Sequence, residues 1–311
     1  MSVAVIDCGT NSTRLLVVGD DGATLAREMT ITRLGQDVAT SGQLHPDAMR
    51  RVYACLIRYR NIMDHYGVTS GTLVATSAAR DARNGREFLE ECERISGVTA
   101  QLLTGREEAT ASYIGATQDL LDDARPTMII DIGGGSTELA VVLDGELIAY
   151  SMQLGCVRVF EAHLGTGVMS ISARSLADQM IEKEIDRLFA AEPRFVEAVG
   201  AVRLIGLAGT VATLAQLDVG VSDYDRNLVH HHVLTKADVE KWISALGAET
   251  AAERLVRPGM VSGREDVLLG GLLVLDAVMA RFAISELLSS ECDILDGVAA
   301  QLQGRAPKEL S

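Results

Sequence analysis

The hydrophobic pattern of this chain has two textures. Short β-branched runs bounded by glycine or acidic turns read as strands, and longer stretches with apolar residues three and four apart read as helices. Strands are predicted at 3–8, 12–18 and 23–31, followed by a helix over 45–67 with Pro46 near its start and Gly67 at its end. A strand at 71–80 ends in a polar elbow. A helix over 84–97, capped by Asn84 and stopped by Gly97, leads to a strand at 98–104 and a helix over 105–121. The acidic stretch 122–126, ended by Pro126, reads as a linker. Three strands then open a second half, which continues with helices at about 172–190, 235–246 and 265–282, a strand–turn–helix over 202–217 and a short amphipathic helix over 293–303. Strands alternating with helices make the class α/β.

The two strand-rich openings are copies. At an offset of 124 residues Asp7 meets Asp131, Gly9 meets Gly133, and Ser12-Thr13 meets Ser136-Thr137. Each copy passes an acidic-Gly turn, Asp21-Gly22 or Asp144-Gly145, into a third strand. So long a period lies outside the solenoid range and points to two related domains. These are 1–124 and 125–311, with the C-terminal helix at about 294–306 able to pack back on the first. In the second copy a strand stops for three glycines, Gly133, Gly134 and Gly135, and then resumes. Glycine loses the most backbone entropy on folding, so such a run is tolerated where the chain turns sharply or a ligand comes close.

The Asp-x-Gly-x-x-Ser-Thr loops present several donors to one point, a nest for phosphate oxygens built from Ser12, Thr13, the glycines and Ser136. The Asp at each strand end, Asp131 and in the first copy Asp7, can hold a divalent cation against the phosphate. A hairpin turn with Asx-type bonds is the plainer reading of one such loop; two copies, one per domain, favour phosphate. No Gly-Lys-Ser/Thr follows, and a strand resumes where a dinucleotide fingerprint opens a helix, so the loops match neither a Walker motif nor a dinucleotide site.

Totals narrow the picture further. A chain of 311 residues, 48% hydrophobic, can bury two cores. A net charge of −15 argues against nucleic acid and anionic membranes, which take a basic footprint. It leaves room for an anionic substrate held by backbone N–H groups, a metal and a few arginines. No apolar run is long enough to span a membrane and the N-terminus has no signal-like core, so a cytoplasmic protein is expected. Five scattered cysteines without a CxxC spacing read as reduced thiols.

Three further motifs carry candidate chemistry. In GLAGTVATLA, Gly209 and Thr210 precede a helix whose N-terminus can attract an anion; a plain strand–helix turn is the alternative. In LLTGREEA, Thr104 and Glu107 form a capping box, which leaves Glu108 free to accept a proton from water or to stand as an ordinary solvated glutamate. Arg80 follows a strand end, where its fork suits phosphate, while Arg83 and Arg86 decorate a helix. His230, His231 and His232 read as loop or strand rather than a metal site.

Together, AVIDCGTNSTRLLV, ATSAARDARNGREFL, LLTGREEA, IIDIGGGSTELAV, LGCVRVFE, GLAGTVATLA and REDVLLGGLLVLDAV, in order from residue 3 to about 277, resemble the exopolyphosphatase and guanosine pentaphosphate phosphatase (Ppx/GppA) family. The resemblance implies two related domains of the actin, Hsp70 and sugar-kinase-like (ribonuclease H-like) fold facing a central cleft. Position by position it implies Glu108 as the catalytic glutamate, Arg80 as a phosphate arginine, Asp131 and Glu138 near magnesium, and Asn11 and Ser12 as polar groups of the first loop. It implies orthophosphate released from the end of inorganic polyphosphate or from guanosine pentaphosphate (pppGpp), and a homodimer. A kinase acting on a sugar or carboxylic acid, and a non-hydrolytic actin-like nucleotide-binding switch, are rivals within the same superfold. The third loop reads GLAGT where a glycine-richer form is common in the family.

Overall fold

The computed structural model describes residues 2–121 and 123–305; Asp122 of the expected linker and residue 306 of the expected last helix lie outside the described residues. The chain forms two compact units. One runs to Gln118 and takes up the chain again from Cys292, and the other is Asp119–Glu291.

In the first unit β1 (Val3–Cys8), β2 (Ser12–Val18) and β3 (Thr24–Ile31) form an antiparallel meander. β4 (Ser70–Ala75) and β5 (Thr99–Leu102) join in parallel on the other side of β1, giving the order β3-β2-β1-β4-β5. Helices α1 (Val38–Ser41), α2 (Pro46–His65), α3 (Ser77–Asp81), α4 (Gly85–Ser96) and α5 (Gly105–Thr117) connect them. The period of two divides the strands: Ala4, Ile6, Leu15 and Val17 pack with Leu56 and Phe88 of α2 and α4, while Val3, Val5, Leu16 and Val18 line the opposite face. A sheet covered on both faces needs such unbroken apolar runs.

The second unit repeats this plan. β6 (Thr127–Ile132), β7 (Thr137–Leu143) and β8 (Glu146–Met152) form the meander, and β9 (Arg203–Leu207) pairs in parallel with β6. β10 (Val233–Thr235) and β11 (Glu286–Ser289) complete the order β10-β11-β9-β6-β7-β8. α6 (Cys156–Val159) runs into a π-turn at Phe160–Leu164, then come α7 (Ile171–Ala191), a 3-10 turn at Pro193–Ala198, α8 (Ala208–Val219), α9 (Arg226–Val229), α10 (Lys236–Gly247), α11 (Ala251–Leu255) and α12 (Leu268–Arg281). The last helix, α13 (Ile294–Leu302), belongs to the first unit, where Ile294, Leu295 and Val298 pack among Val3, Val5 and Leu16.

Several local expectations change. The strand expected at 71–80 ends at Ala75, because α3 begins at Ser77. Asn84 stands at the head of α4 without capping it; its amide binds Leu44 instead, accepting from the N–H (2.8 Å) and donating to the carbonyl (3.1 Å). α12 starts three residues later than expected. β10, β11 and the π-turn carry too few residues to leave a periodic signal.

Candidate active site

Both Asp-Gly loops leave the C-terminal end of a strand that has a parallel neighbour, the edge of an open α/β sheet where ligands bind. They close with the same bond: Gly9 N–H donates to the Ser12 carbonyl and Gly133 N–H to the Ser136 carbonyl, each at 3.0 Å. The carbonyls between are then capped from one side. In the first loop Gly35 N–H binds the Thr10 carbonyl (2.8 Å), and Thr32 and Arg33 N–H bind that of Asn11 (3.0 and 2.9 Å). In the second, Cys156 N–H binds the Gly133 carbonyl, Val157 and Arg158 N–H bind that of Gly134, and Arg158 Nε binds that of Gly135 (2.9 Å). In a trans peptide the N–H points away from the C=O. Capping these carbonyls on one side therefore turns the amides of Gly134, Gly135 and Ser136 to the other, which makes the nest.

Among the described residues of the first unit four polar atoms are buried without a hydrogen-bond partner: Asp7 Oδ1, Asn11 Nδ2, Ser77 Oγ and Arg80 Nη2. All belong to segments at or just beyond the ends of β1 and β4. Buried polar groups are paired in the great majority of cases, so a cluster of exceptions marks a ligand site. Arg80 Nη1 meanwhile holds the Leu103 carbonyl (2.7 Å) and Glu108 Oε2 (3.2 Å). Glu108, on the first turn of α5, is only 8% exposed. Its neighbour Glu107 takes the capping role: Oε2 accepts from Thr104 N–H (2.7 Å), Thr104 Oγ1 accepts from Glu107 N–H (3.3 Å), and the backbone bond holds the Glu107 carboxyl below its usual range.

Arg14, which had no role in the sequence reading, forks onto Asp7 through Nε (3.0 Å) and Nη2 (2.7 Å) and reaches Asp293 with Nη1. Burial pushes the Asp7 carboxyl up, against the pull of Arg14.

Thr13 needs correction. It is fully buried, and its hydroxyl pairs with that of Thr32 (2.9 Å). Successive strand residues face opposite ways, so of Ser12 and Thr13 only one can serve the loop side. The Thr210 hydroxyl is likewise engaged, with the Cys156 thiol, whose pKa burial pushes up to about 11.

In the second unit Asp131 and Glu138 are both buried and stand opposite each other in the β6–β7 register. Directly opposed residues of an antiparallel pair share a face, with Cβ atoms roughly 4.5–5.5 Å apart. Ser151, the next partner across on β8, donates to Glu138 Oε1 (2.6 Å). Two adjacent carboxylates offer the oxygen donors that magnesium takes, so these residues fit it; Asp7 Oδ1 is a further oxygen of the same kind in the first unit.

The third loop has a feature the sequence did not show. Arg264, quoted in the REDVLLGG stretch without a function, lays its guanidinium so close to Gly209 that a Cβ there would collide with it. Ala208 takes φ 62°, the left-handed region, which explains why a glycine-richer loop suits this position. Ala208→Gly is expected to stabilise the second unit by about 0.5–1 kcal/mol, the relief of strain exceeding the added entropy of the unfolded chain. A thermal melt checks this, and an unchanged or lower Tm would count against strain at Ala208.

His230 Nδ1 accepts from Glu291 N–H (3.0 Å), and its Nε2 lies 2.8 Å from Asp119 Oδ2.

The fold, with its duplicated Asp-Gly loops, defines a two-domain α/β protein of the actin-like class. The chain belongs to the Ppx/GppA phosphatase family, whose profile matches residues 16–305. It is 34% identical to exopolyphosphatase 2 of Mycobacterium tuberculosis over 97% of this chain and 98% of that one. A crystal structure of an exopolyphosphatase-like protein superposes with TM-score 0.92 at 34% identity, covering 98% of this chain and 99% of that one. The guanosine-5'-triphosphate,3'-diphosphate pyrophosphatase of Aeromonas hydrophila is 27% identical over 97% of this chain and 59% of that one. Among the described residues no helix is long and apolar enough to cross a membrane.

Proposed function

We propose that the protein is an exopolyphosphatase that hydrolyses the terminal phosphoanhydride of inorganic polyphosphate and releases orthophosphate. The observation that carries this reading is the group of unpartnered donors, Asn11 Nδ2, Ser77 Oγ and Arg80 Nη2, with the buried carboxylate of Glu108 hydrogen-bonded to the same arginine. Donors fixed in advance can accept the charge that builds on the transferring phosphoryl group without reorganising. Glu108 orients and deprotonates the attacking water. In the first unit Arg80 offers a phosphate the half of its fork that the protein leaves over, with Ser12 in the same unit; in the second unit the Gly133–Ser136 amides form their own set of phosphate donors. Arg264 adds a positive charge at the Gly209 loop. Asp131 and Glu138 would hold magnesium, which when bound would neutralise phosphate charge. Positioning and electrostatics of this kind account for most of the catalysis in phosphoryl transfer.

The test is phosphate release from polyphosphates of several lengths, from pppGpp and from ATP, each with magnesium and with chelator. Polyphosphate should be the preferred substrate, and chelation should abolish release. Turnover of pppGpp alone would move the assignment to the pyrophosphatase activity named for the 27% identical relative, and turnover of ATP alone would sink it.

Arg80→Lys is expected to raise KM for polyphosphate about tenfold or more. A lysine ammonium cannot hold the Leu103 carbonyl and Glu108 while also meeting a phosphate. Arg83 is different: its Nη2 donates to the exposed Ser41 carbonyl (3.1 Å), so Arg83→Lys should stay within twofold. Equal, small effects would remove Arg80 from the site.

A further inference from the structure

In the first unit α13 and α5 meet backbone to backbone. Gly297 of α13 and Gly115 of α5 lie at the crossing. A Cβ on Gly297 would overlap the Ala111 carbonyl, at 2.7 Å from its carbon and 3.0 Å from Gly115 N. A Cβ on Gly115 would overlap the Asp293 carbonyl, at 2.7 Å from its carbon and 2.9 Å from Gly297 N. Glycine inside a helix costs stability against alanine, and these helices are short, thirteen residues for α5 and nine for α13. Two glycines that face each other therefore serve the closeness of the approach and not the helices themselves.

The helix that is approached carries Glu108. Ala111 lies three residues beyond it, just under one turn along α5. α13 is tied to the meander along its length. Asp293 pairs with Arg14 on β2 and Asp296 with Arg27 on β3, while Gln303 Nε2 and Arg305 Nη2 donate to the carbonyls of Gly19 (2.8 Å) and Asp20 (2.6 Å). α5 is tied as well. Its first turn has the Thr104–Glu107 cap and the bond from Arg80 Nη1 to Glu108 Oε2 (3.2 Å), and Gln118 after its last turn donates to the Asp296 carbonyl (3.2 Å). Backbone pressed against the Ala111 carbonyl therefore strains the turn from which Glu108 reaches Arg80.

We infer that Gly297 is a positioning residue, which lets α13 lie against the α5 backbone and so sets where the Glu108 carboxylate stands. The inference rests on the phosphoanhydride reading above, in which Glu108 takes a proton from water. It places the effect of Gly297 on the chemical step, through Glu108, and not on substrate affinity. Arg80 stands on α3 and also holds the Leu103 carbonyl (2.7 Å), so its fork does not follow α5.

The test is a double-mutant cycle read by steady-state phosphate release from polyphosphate with magnesium. Gly297→Ala should lower kcat about 10-fold to 10²-fold, the cost of a reacting group displaced by about 1 Å, and leave KM within about twofold. In a Glu108→Gln background the same change should remove no more than about half of the remaining turnover, because one residue acts through the other. Val298→Ala is the control for stability. It empties space beside Val3, Val5 and Leu16 and adds no volume toward α5, so it should lower Tm and keep kcat within about twofold. Should Gly297→Ala fail to fold, Asp296→Asn enters the same cycle. It keeps an acceptor for Asp293 N–H (2.9 Å) but loses the charge that holds Arg27, and it should lower kcat about threefold or more, only while Glu108 is present. An unchanged kcat in Gly297→Ala would overturn the inference. So would an equal loss in the Glu108→Gln background, or an equal loss in Val298→Ala. A parent that releases no phosphate from polyphosphate would take down the phosphoanhydride reading, and this inference with it.

Discussion

Glu108→Gln should lower turnover about 10²–10⁴-fold, the usual worth of general-base assistance, with substrate binding and Tm nearly unchanged. Gln keeps the shape and can still accept from Arg80 Nη1 through its carbonyl oxygen, now without charge. It cannot take a proton from water. The adjacent Glu107 is the internal control. It is chemically identical, and both of its capping bonds are made to Thr104, on the exposed side of the first turn. Gln can fill that role, so Glu107→Gln should leave turnover within a few-fold. Consecutive helix residues diverge by about 100° around the axis, which is why two neighbouring glutamates can have such different fates. Steady-state kinetics and melting of the two single variants decide the matter. If Glu107→Gln proves the damaging change, the capping and catalytic assignments are wrong together.

How much of this was legible in the chain varies from residue to residue. The duplicated meander was visible because its signal is local: strand, Asp-Gly loop, strand and acidic-Gly turn recur at a fixed offset, and each part has its own chemistry. The Thr104–Glu107 capping box was visible for the same reason. β10 and β11 were not, because three- and four-residue strands have too few positions to show a period, and their pairing joins segments far apart in sequence. Asn84 misled because its type fits a helix cap, while its partner, Leu44, lies forty residues upstream. Thr13 misled because composition cannot say which of two adjacent hydroxyls faces the loop. Arg14 and Arg264 gained their roles only in the fold, where their partners come from other elements. The orphan atoms belong to the same class: Ser77 became a candidate only when its buried hydroxyl proved to lack a partner.

The second large effect is expected from a residue with no functional group. Gly155→Ala should reduce turnover about 10²-fold or more while the protein stays folded. Gly155 precedes the amides of Cys156, Val157 and Arg158, which cap the glycine-loop carbonyls. To make those bonds its own Cα must lie against the loop, and a Cβ there would sit 2.5 Å from the Gly134 carbonyl carbon and 2.7 Å from Gly135 N. Both are backbone atoms, so no side-chain rotation relieves the overlap; the loop or α6 must shift. A displacement of about 1 Å in groups that hold the reacting phosphate can cost about 10²-fold. The same overpacking should destabilise the second unit by about 1–3 kcal/mol, which a unit with so large a buried core can absorb. Gly167→Ala is the control. A Cβ at Gly167 meets nothing, so that variant should keep its activity. Full activity in Gly155→Ala would show that the loop amides need not be aimed from behind, and the nest would lose its claim on the substrate phosphate.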